Sequence, residues 1–360
     1  MAVTRINFQN FRNFQSLDLK TGQGFVVLAG PNGAGKTNLL EGIYFGASLR
    51  RFPDSKLSQM VKTGEGFYKI RLEHDTDQIL EIAAERLEEK LKYKFKANNQ
   101  TTTRLKYAGI LPVVSFIPED LNLLSHSPAG RRRFLDETLS VASAEYRHNI
   151  PQYNKVVKQR NELLERINKG EGQPGEIEIW DEQLADFGSQ IIKQRAKLID
   201  FFNANLSRSL KNLSPDLAES KIEYLPSGDA DKQEFLIKVK DTSAREQALG
   251  RTMIGPHKDD FNLILNGEDV VGYLSRGQLR ALTLALKTLE REYLEGELKH
   301  TPIMLLDDVF SEFDQSHQQQ LVEFLKTFEQ VFLTTAHLEE IKPYLPADSQ
   351  VHQIMQGHVQ

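Results

Sequence analysis

From residue 4 to residue 117 hydrophobic positions recur mostly at every second place, and through the middle of the chain at every third or fourth. The first period belongs to strands whose side chains alternate between two faces, the second to helices with one apolar stripe. Ile6 alternates with Phe8 and Leu17 with Leu19, Thr21-Gly22-Gln23-Gly24 makes a turn, and Phe25-Val26-Val27-Leu28-Ala29 is a short apolar run, as a buried strand has. Asn38 to Ile43 then carries apolar residues at helical spacing. From 67 to 107 period two returns. Lys90, Lys92, Lys94 and Lys96 alternate with Leu91, Tyr93 and Phe95, Ala97-Asn98-Asn99-Gln100 reads as the following turn, and Arg104 and Lys106 fall on the returning strand. Val113 to Ile117 is one more buried strand, ended by Pro118.

Then the period lengthens. Ser127-Pro128 is a cap followed by a first helical residue, and Arg131-Arg132-Arg133-Phe134-Leu135-Asp136 begins a helix. Pro151 opens the next, with Tyr153, Val156, Val157, Arg160, Leu163, Leu164 and Ile167 on its spacing. After the loop Glu171 to Gly175, a long helix carries Trp180, Leu184, Phe187, Ile191, Leu198, Phe201 and Leu210 inward, which makes an antiparallel helical hairpin. Ile222-Glu223-Tyr224 is strand-like, and Phe235 to Val239 is an apolar run. Phe261, Leu263 and Leu265 lead through the turn Asn266-Gly267 to Val270-Val271. A long helix from Leu279 to Leu298, an apolar strand Ile303 to Leu306 and a buried strand Val331 to Thr335 close the pattern.

Composition narrows the class. An apolar fraction of 39% with 26% charged residues is that of a globular protein, no apolar run approaches a membrane span, and Met1 to Ile6 lacks the core of a signal peptide, so a cytoplasmic protein without a membrane partner is expected. There is no cysteine, and the nine histidines form no zinc-type pair, so any metal should be held by oxygen. A net charge of −5 means that binding to nucleic acid has to be argued from local patches.

The chemistry centres on Gly30-Pro31-Asn32-Gly33-Ala34-Gly35-Lys36-Thr37, which satisfies G-x-x-x-x-G-K-[ST] between a strand and a helix. Its glycines let successive N–H groups point inward to a phosphate at a helix N-terminus. Lys36 supplies charge between the β- and γ-phosphates of ATP, Thr37 a hydroxyl to Mg²⁺, and Asn38 continues the loop's contacts. Downstream, Ser275-Arg276-Gly277-Gln278 caps a helix and offers a second anion site, one that could face the γ-phosphate held by another copy. Ile303 to Leu306 ends in Asp307, a metal ligand, and Asp308, which orients the attacking water; Ser311-Glu312-Phe313-Asp314 follows as a loop, and His337 lies just past a strand end. Phosphate loop, helical insertion, Ser-x-Gly-Gln helix, acidic strand and terminal histidine follow the order of ATP-binding cassettes, whose composite site makes ATP the fastener of a dimer.

Other residues carry two readings each. Arg12, among aromatics, is a strand-end residue with an exposed tip, and the alternative, a cation near the nucleotide, is supported only by the family resemblance given next. The four lysines Lys90 to Lys96 share one strand face, either a solvated edge or a rail for DNA phosphates. Arg131 to Arg133 point around a helix, toward salt bridges or DNA. His257, beside Asp259 and Asp260, is a satisfied turn residue or a catalytic group.

The sequence resembles the RecF family of bacterial recombination-repair ATPases, related to the heads of structural-maintenance-of-chromosomes proteins. The likeness spans nearly the whole chain: Asn10-Phe11-Arg12-Asn13, the phosphate loop continued to Glu41, Pro118-Glu119-Asp120-Leu121, Arg131 to Asp136, Lys158 to Asn161, Trp180 to Leu184, Gly255-Pro256-His257 with Asp259-Asp260, and Leu305 to Asp308. It implies an ATP- and Mg²⁺-dependent homodimer with Arg12 near the nucleotide and weak, DNA-stimulated hydrolysis. It further implies binding to duplex and gapped DNA and to single strands. Cooperation with RecO and RecR in loading RecA, replication restart, the SOS response and a place at the nucleoid belong to the same expectation. Two departures stand out: Arg276 occupies a place usually small or uncharged in cassettes, and the glutamine usual between phosphate loop and insertion is not evident from Ser115 to Leu121, where Glu119 is the substitute at hand.

The fold expected is therefore α/β: an ATP-binding-cassette head with a mixed sheet, flanking helices and an antiparallel N-terminal sheet, interrupted by a helical lobe. Residues 1–112 and 251–360 form the head, and 113–250 the lobe. A subunit energising a transporter or another SMC-like complex is the rival reading, and the length of chain between Thr37 and Asp307 speaks against a transporter. A clamp that binds ATP without turnover is a third, against which stand the intact Asp307 and Asp308.

Overall fold

The computed structural model describes residues 1–359 apart from Asp54, Glu89, Ser125, His126 and Asp314, and the side chains of all of these except Pro174, Gln315 and Ser316. The chain begins with strands β1 (Val3–Phe11), β2 (Phe14–Lys20) and β3 (Gly24–Ala29), followed by helix α1 (Lys36–Ser48). Strands β4 (Phe67–His74), β5 (Ile79–Leu87), β6 (Lys90–Ala97) and β7 (Gln100–Thr101), the helical turn α2 (Arg104–Tyr107) and strand β8 (Val113–Phe116) follow. The middle is α3 (Pro128–Ala142), α4 (Ala144–Asn168), α5 (Glu178–Leu213), β9 (Lys221–Leu225), α6 (Lys232–Leu249), β10 (Asp260–Leu265), β11 (Glu268–Asp269) and α7 (Arg276–Leu298). The chain ends with β12 (Ile303–Asp307), α8 (Gln315–Leu325), β13 (Gln330–Thr335), α9 (Leu338–Ile341), β14 (Gln350–Met355) and β15 (His358–Val359).

Two compact units result, Met1–Leu121 with Leu294–Gln360, and Asn122–Tyr293. These limits differ from 113 and 251. Val113 pairs in parallel with Ile303, so β8 stays with the first unit, whereas Asp260 to Ile264 pair with Leu225 to Lys221, which holds the stretch after residue 251 in the second. Ser275 accordingly lies in the second unit and Asp307 in the first.

The first unit holds two sheets. One is antiparallel, in the order β2-β1-β4-β5-β6-β7, and the other, β15-β14-β3-β13-β12-β8, is parallel except at its β15 edge. Helix α1 packs against strands of both. Gly42 and Gly46, one turn apart, make its close approach to the antiparallel sheet possible: a Cβ on Gly42 would lie 2.2 Å from the Phe8 ring and one on Gly46 2.8 Å from Ile70. The turn between β6 and β7 places Asn98 and Asn99 at φ 51 and 62, the paired positive values of a tight primed hairpin. The return strand is only Gln100–Thr101. Arg104 and Lys106 are not on it, because the Thr103 hydroxyl accepts the Lys106 N–H at 3.4 Å and starts a helical turn instead.

In the second unit α4 and α5 form the expected antiparallel hairpin, seen in the pairs Asn149–Gln190 (2.7 Å) and Arg160–Asp181 (2.8 Å). Helix α4 starts earlier than Pro151. The Ser143 hydroxyl accepts the Tyr146 N–H at 3.1 Å, and this cap leaves Pro151 inside the helix, where it offers no N–H to the Arg147 carbonyl. Phe235 to Val239 belongs to α6, capped by Asp231. Buried Phe134, Tyr153, Phe202, Phe235, Phe261 and Leu286 belong to one core. No helix among the described residues is long and apolar enough to cross a membrane.

Candidate nucleotide-binding site

The phosphate loop connects the end of β3 to the start of α1. Gly35 caps α1 at φ 113 and supplies no side-chain acceptor, and the first turn has no acid, so the leading N–H groups are left for an anion. The loop's back is fastened to the fold. Asn13 donates to the Ala34 carbonyl (3.1 Å) and accepts from Asn38 (2.9 Å), the Gly357 N–H reaches the same carbonyl at 3.0 Å, and a Cβ on Gly35 would lie 2.4 Å from the Asn13 amide nitrogen. Lys36 donates to the carbonyls of Gly30 (2.7 Å) and Pro31 (3.1 Å). Burial pulls its pKa down, against the pull of Asp308 and Asp307.

Opposite the loop, β12 ends in register with β13, pairing Asp307 with Thr334. The Thr334 hydroxyl donates to Asp307 Oδ1 at 2.7 Å and accepts the Asp308 N–H at 2.9 Å, while the Thr37 hydroxyl donates to the same Oδ1 at 3.1 Å. Burial raises the pKa of Asp307 above the ordinary aspartate value, against the two threonine hydroxyls, and the charges of Asp308 and Glu119 push it the same way as burial. Asp308 is raised by burial as well, opposed by Lys36 and His337, and sits in left-handed backbone at φ 51, a strained conformation that functional sites often hold. The cleft measures about 170 Å³ and is lined by Asn32, Gly33, Gly35, Lys36, Thr37, Asn38, Asp307, Asp308 and Thr334.

A carboxylate desolvated without a cation, next to a threonine hydroxyl, fits a magnesium ion that keeps its remaining coordination for water and phosphate. Among the described residues no cluster of three or more His, Cys, Asp or Glu offers an all-protein metal cage. Thr37 and Asp307 are the residues that would hold the ion.

The remaining candidates lie as follows. His337 is exposed just beyond β13, near enough for its charge to bear on Asp308, and pairs with Glu340 at 3.7 Å. Glu119 bears on Asp307 in the same way. Arg12 does not line the cleft: its guanidinium holds Glu41 (2.5 Å) and Ser55 (2.6 Å). Asp314 lies outside the described residues. In the second unit, Ser275 is the N-cap its type suggested, with Gln278 N–H donating to its Oγ at 3.2 Å. Thr334 and Asn13 escaped the sequence reading of the site. Thr334 looks like any strand residue, and only the family motif around Asn13 hinted at a role.

Lys90, Lys92 and Lys94 are exposed on β6, Lys96 pairs with Glu81 at 3.3 Å, and Leu91, Tyr93 and Phe95 pack on the core from the opposite face. Lys94 pairs in register with Ala83, which pairs with Lys69 on β4, so Lys69 shares that outer face. Arg131 holds Asp260 (2.6 Å) and Arg132 the Asp259 carbonyl (2.8 Å), so these arginines are structural. His257 is the satisfied turn residue. The pKa of fully buried Tyr153 is pushed far up, so its hydroxyl keeps the proton and donates to His257 Nδ1 at 2.6 Å. Nε2–H then points to the Thr252 carbonyl at 3.4 Å, and burial holds the imidazole neutral, its pKa down to about 4.

Fold and site together define an ATP-binding-cassette-type ATPase head. Residues 2–356 match the family described as RecF/RecN/SMC N terminal domain. The chain is 34% identical over 358 residues to the DNA replication and repair protein RecF of Moorella thermoacetica, covering 99% of this chain and 96% of that one. It is 35% identical to the RecF of Lachnoclostridium phytofermentans, covering 100% and 99%. A solved structure of the recombination mediator protein RecF with ATP, of the RecFOR pathway, superposes with a TM-score of 0.85 at 30% identity, covering 99% and 96%. An Smc head bound to the C-terminal winged-helix domain of ScpA matches in fold, with a TM-score of 0.56 at 13% identity. The chain belongs to the RecF family.

Proposed function

We propose that two copies of this protein close on ATP and Mg²⁺ to form a clamp on duplex DNA at single-strand gaps, and that slow, DNA-stimulated hydrolysis releases it. The observation that carries the reading is the bond from Thr37 to Asp307, which joins the phosphate loop and the acidic strand into one cleft with Lys36 and Asp308. Mg²⁺, held by Thr37 and Asp307, would supply neutralisation of phosphate charge. Lys36 exchanges its loop carbonyls for phosphate oxygens, the loop N–H groups bind the β-phosphate, and Asp308, aided by His337, orients the water that attacks the γ-phosphorus as the bond to ADP breaks. Ser275 of the second copy donates to the γ-phosphate. A place for Arg12 near the nucleotide rests on family membership alone, since here Glu41 and Ser55 hold its guanidinium.

The DNA face is the outer side of the antiparallel sheet, where Lys69, Lys92 and Lys94 have no ion-pair partner among the described residues. Family membership supports work with RecO and RecR in loading RecA, in replication restart and the SOS response, at the nucleoid in the cytoplasm. Light-scattering mass with and without ATP and Mg²⁺, on the wild type, Lys36→Met and Ser275→Arg, with gapped duplex in a second series, tests the clamp. A nucleotide-driven dimer that both substitutions abolish, and that retains DNA, is expected; a mass unmoved by ATP refutes it.

A further inference from the structure

The signature serine does not stand alone on its helix. Ser275 and Gln278 form a reciprocal cap: the Gln278 N–H donates to Ser275 Oγ at 3.2 Å, and the Ser275 N–H donates to Gln278 Oε1 at 2.8 Å. The other end of the Gln278 amide, Nε2, donates to Asp216 Oδ2, and the second Asp216 oxygen accepts the Ser214 hydroxyl at 2.6 Å. Ser214 is the buried residue that ends α5, so the line runs from the hairpin's 36-residue helix to the tip of α7, all within the second unit.

Each bond in this line has a forced direction. An ionised carboxylate only accepts, so Asp216 can hold only the NH₂ end of Gln278, and that turns Oε1 toward the Ser275 N–H. Hydrogen bonds from Ser214 and Gln278 hold the Asp216 pKa below the usual aspartate value, so this acceptor persists throughout the physiological range. A flipped amide would set NH₂ against N–H and break the cap. With Oγ already accepting from the Gln278 N–H, the Ser275 hydroxyl hydrogen is what remains to be donated, and the side chain is exposed to receive an acceptor.

We propose that Asp216 is a positioning residue of the ATP signature: by fixing the amide of Gln278 it sets Ser275 in the one orientation that donates to a γ-phosphate presented by another copy. The inference rests on the composite-site reading above. It also gives α5 a direct hold on the nucleotide-sensing loop.

The test is the ATP concentration at half-maximal dimerisation, by light scattering with Mg²⁺, alongside the affinity of the monomer for a fluorescent ATP analogue at protein concentrations below dimer formation. Asp216→Asn keeps the shape but can donate as well as accept, so it frees the flip. It is expected to raise the dimerisation midpoint about fivefold, the worth of one hydrogen bond, with monomer nucleotide affinity unchanged. Gln278→Leu approaches the same line from its other end, so misfolding of one variant leaves the other to decide. The double variant Asp216→Asn/Gln278→Leu should be no worse than Gln278→Leu alone. A midpoint within twofold of wild type for Asp216→Asn, while Ser275→Ala shifts it strongly, overturns the role of Asp216 and leaves the composite site standing. Full additivity of the two substitutions also overturns it. A midpoint unmoved by Ser275→Ala defeats the composite site and this inference together.

Discussion

In the helical unit Glu246 and Asp259 are fully buried and each meets an arginine, Glu246 at 2.6 Å from Arg160 and Asp259 at 2.8 Å from Arg195. In the nucleotide unit Asp307, 9% exposed, meets only hydroxyls, and the nearby lysine is turned to its own loop carbonyls. The helical unit's acids are neutralised on the spot. Arg160 also joins Asp181 and Thr252, and Arg195 also joins Asp136 and the Pro256 carbonyl, so the charges close on one another. Burial raises the pKa of Asp181 in the scaffold as well as that of Asp307 in the cleft, but an arginine opposes it at Asp181 and only threonine hydroxyls oppose it at Asp307. Buried charge that is paired within the chain is scaffold, while buried charge left short of a counter-ion marks where one must come from outside.

Breaking a pair in the scaffold should have the largest effect. Arg160→Met leaves Asp181 and Glu246 facing each other in the core, and a loss of about 3–5 kcal/mol is expected in the denaturant transition of the helical unit. A loss under about 1 kcal/mol would mean that water reaches this lattice and that the contrast with the cleft is false.

The same unit deals with its buried histidine by refusing the proton. The folded-state pKa of His257 is lowered to about 4, so between the ordinary value of 6.5 and that point the unfolded chain binds a proton that the folded chain does not. Stability therefore falls as pH drops through this window, by up to about 1.4 kcal/mol per pH unit for one proton. His257→Gln keeps an acceptor for Tyr153 and should flatten the slope by that amount. His74 and His352, also lowered by burial, keep a residual slope in the variant. An identical slope in both proteins would put water beside the imidazole.

Neutralising the cleft should do the opposite of breaking the scaffold. Because burial raises the folded-state pKa of Asp307, the folded chain holds its proton longer than the unfolded one, and stability declines as pH climbs through the raised value. Asp307→Asn removes that cost. In the absence of nucleotide the melting temperature at pH 7 should rise on the order of 2 °C, while the dimerisation proposed above for ATP and Mg²⁺ should be lost. A lower melting temperature would show that the two threonine bonds outweigh the burial of the charge.

The site was legible to the degree that its geometry is local. The phosphate loop follows from glycines and a lysine set within one strand-loop-helix, and the acidic strand from an apolar run with two terminal carboxylates. What binds these parts together was not legible, since the Asn13 amide reaches the loop and the Thr334 hydroxyl reaches Asp307 only once the sheets have folded. The family motifs in the helical unit were visible as motifs, but Arg160 and Glu246 are too far apart in sequence for their pairing to be read. Local rules also lost to stronger neighbours. The Ser143 cap carried α4 through Pro151, Thr103 turned Arg104 and Lys106 off the expected strand, and strand pairing moved both unit boundaries.

The smallest effect on stability, and the finest distinction, belongs to the exposed lysines. Lys92 faces Glu85 across the β5–β6 pair, yet no ion pair joins them, and Lys94 faces Ala83, so both side chains are solvated and hold nothing together. Replacing both with glutamate should change folding stability by less than about 0.5 kcal/mol. If they touch phosphates, the slope of log affinity against log salt on duplex DNA should flatten by about 1.8, the release of counter-ions from two contacts. Equal slopes in wild type and variant would leave β6 a solubilising edge and move the search for the DNA face elsewhere. A fall in stability of several kcal/mol would instead place these lysines with the scaffold arginines. Charge at Lys92 and Lys94 serves neither core nor cleft, and a ligand from outside would give it a role beyond keeping this strand solvated.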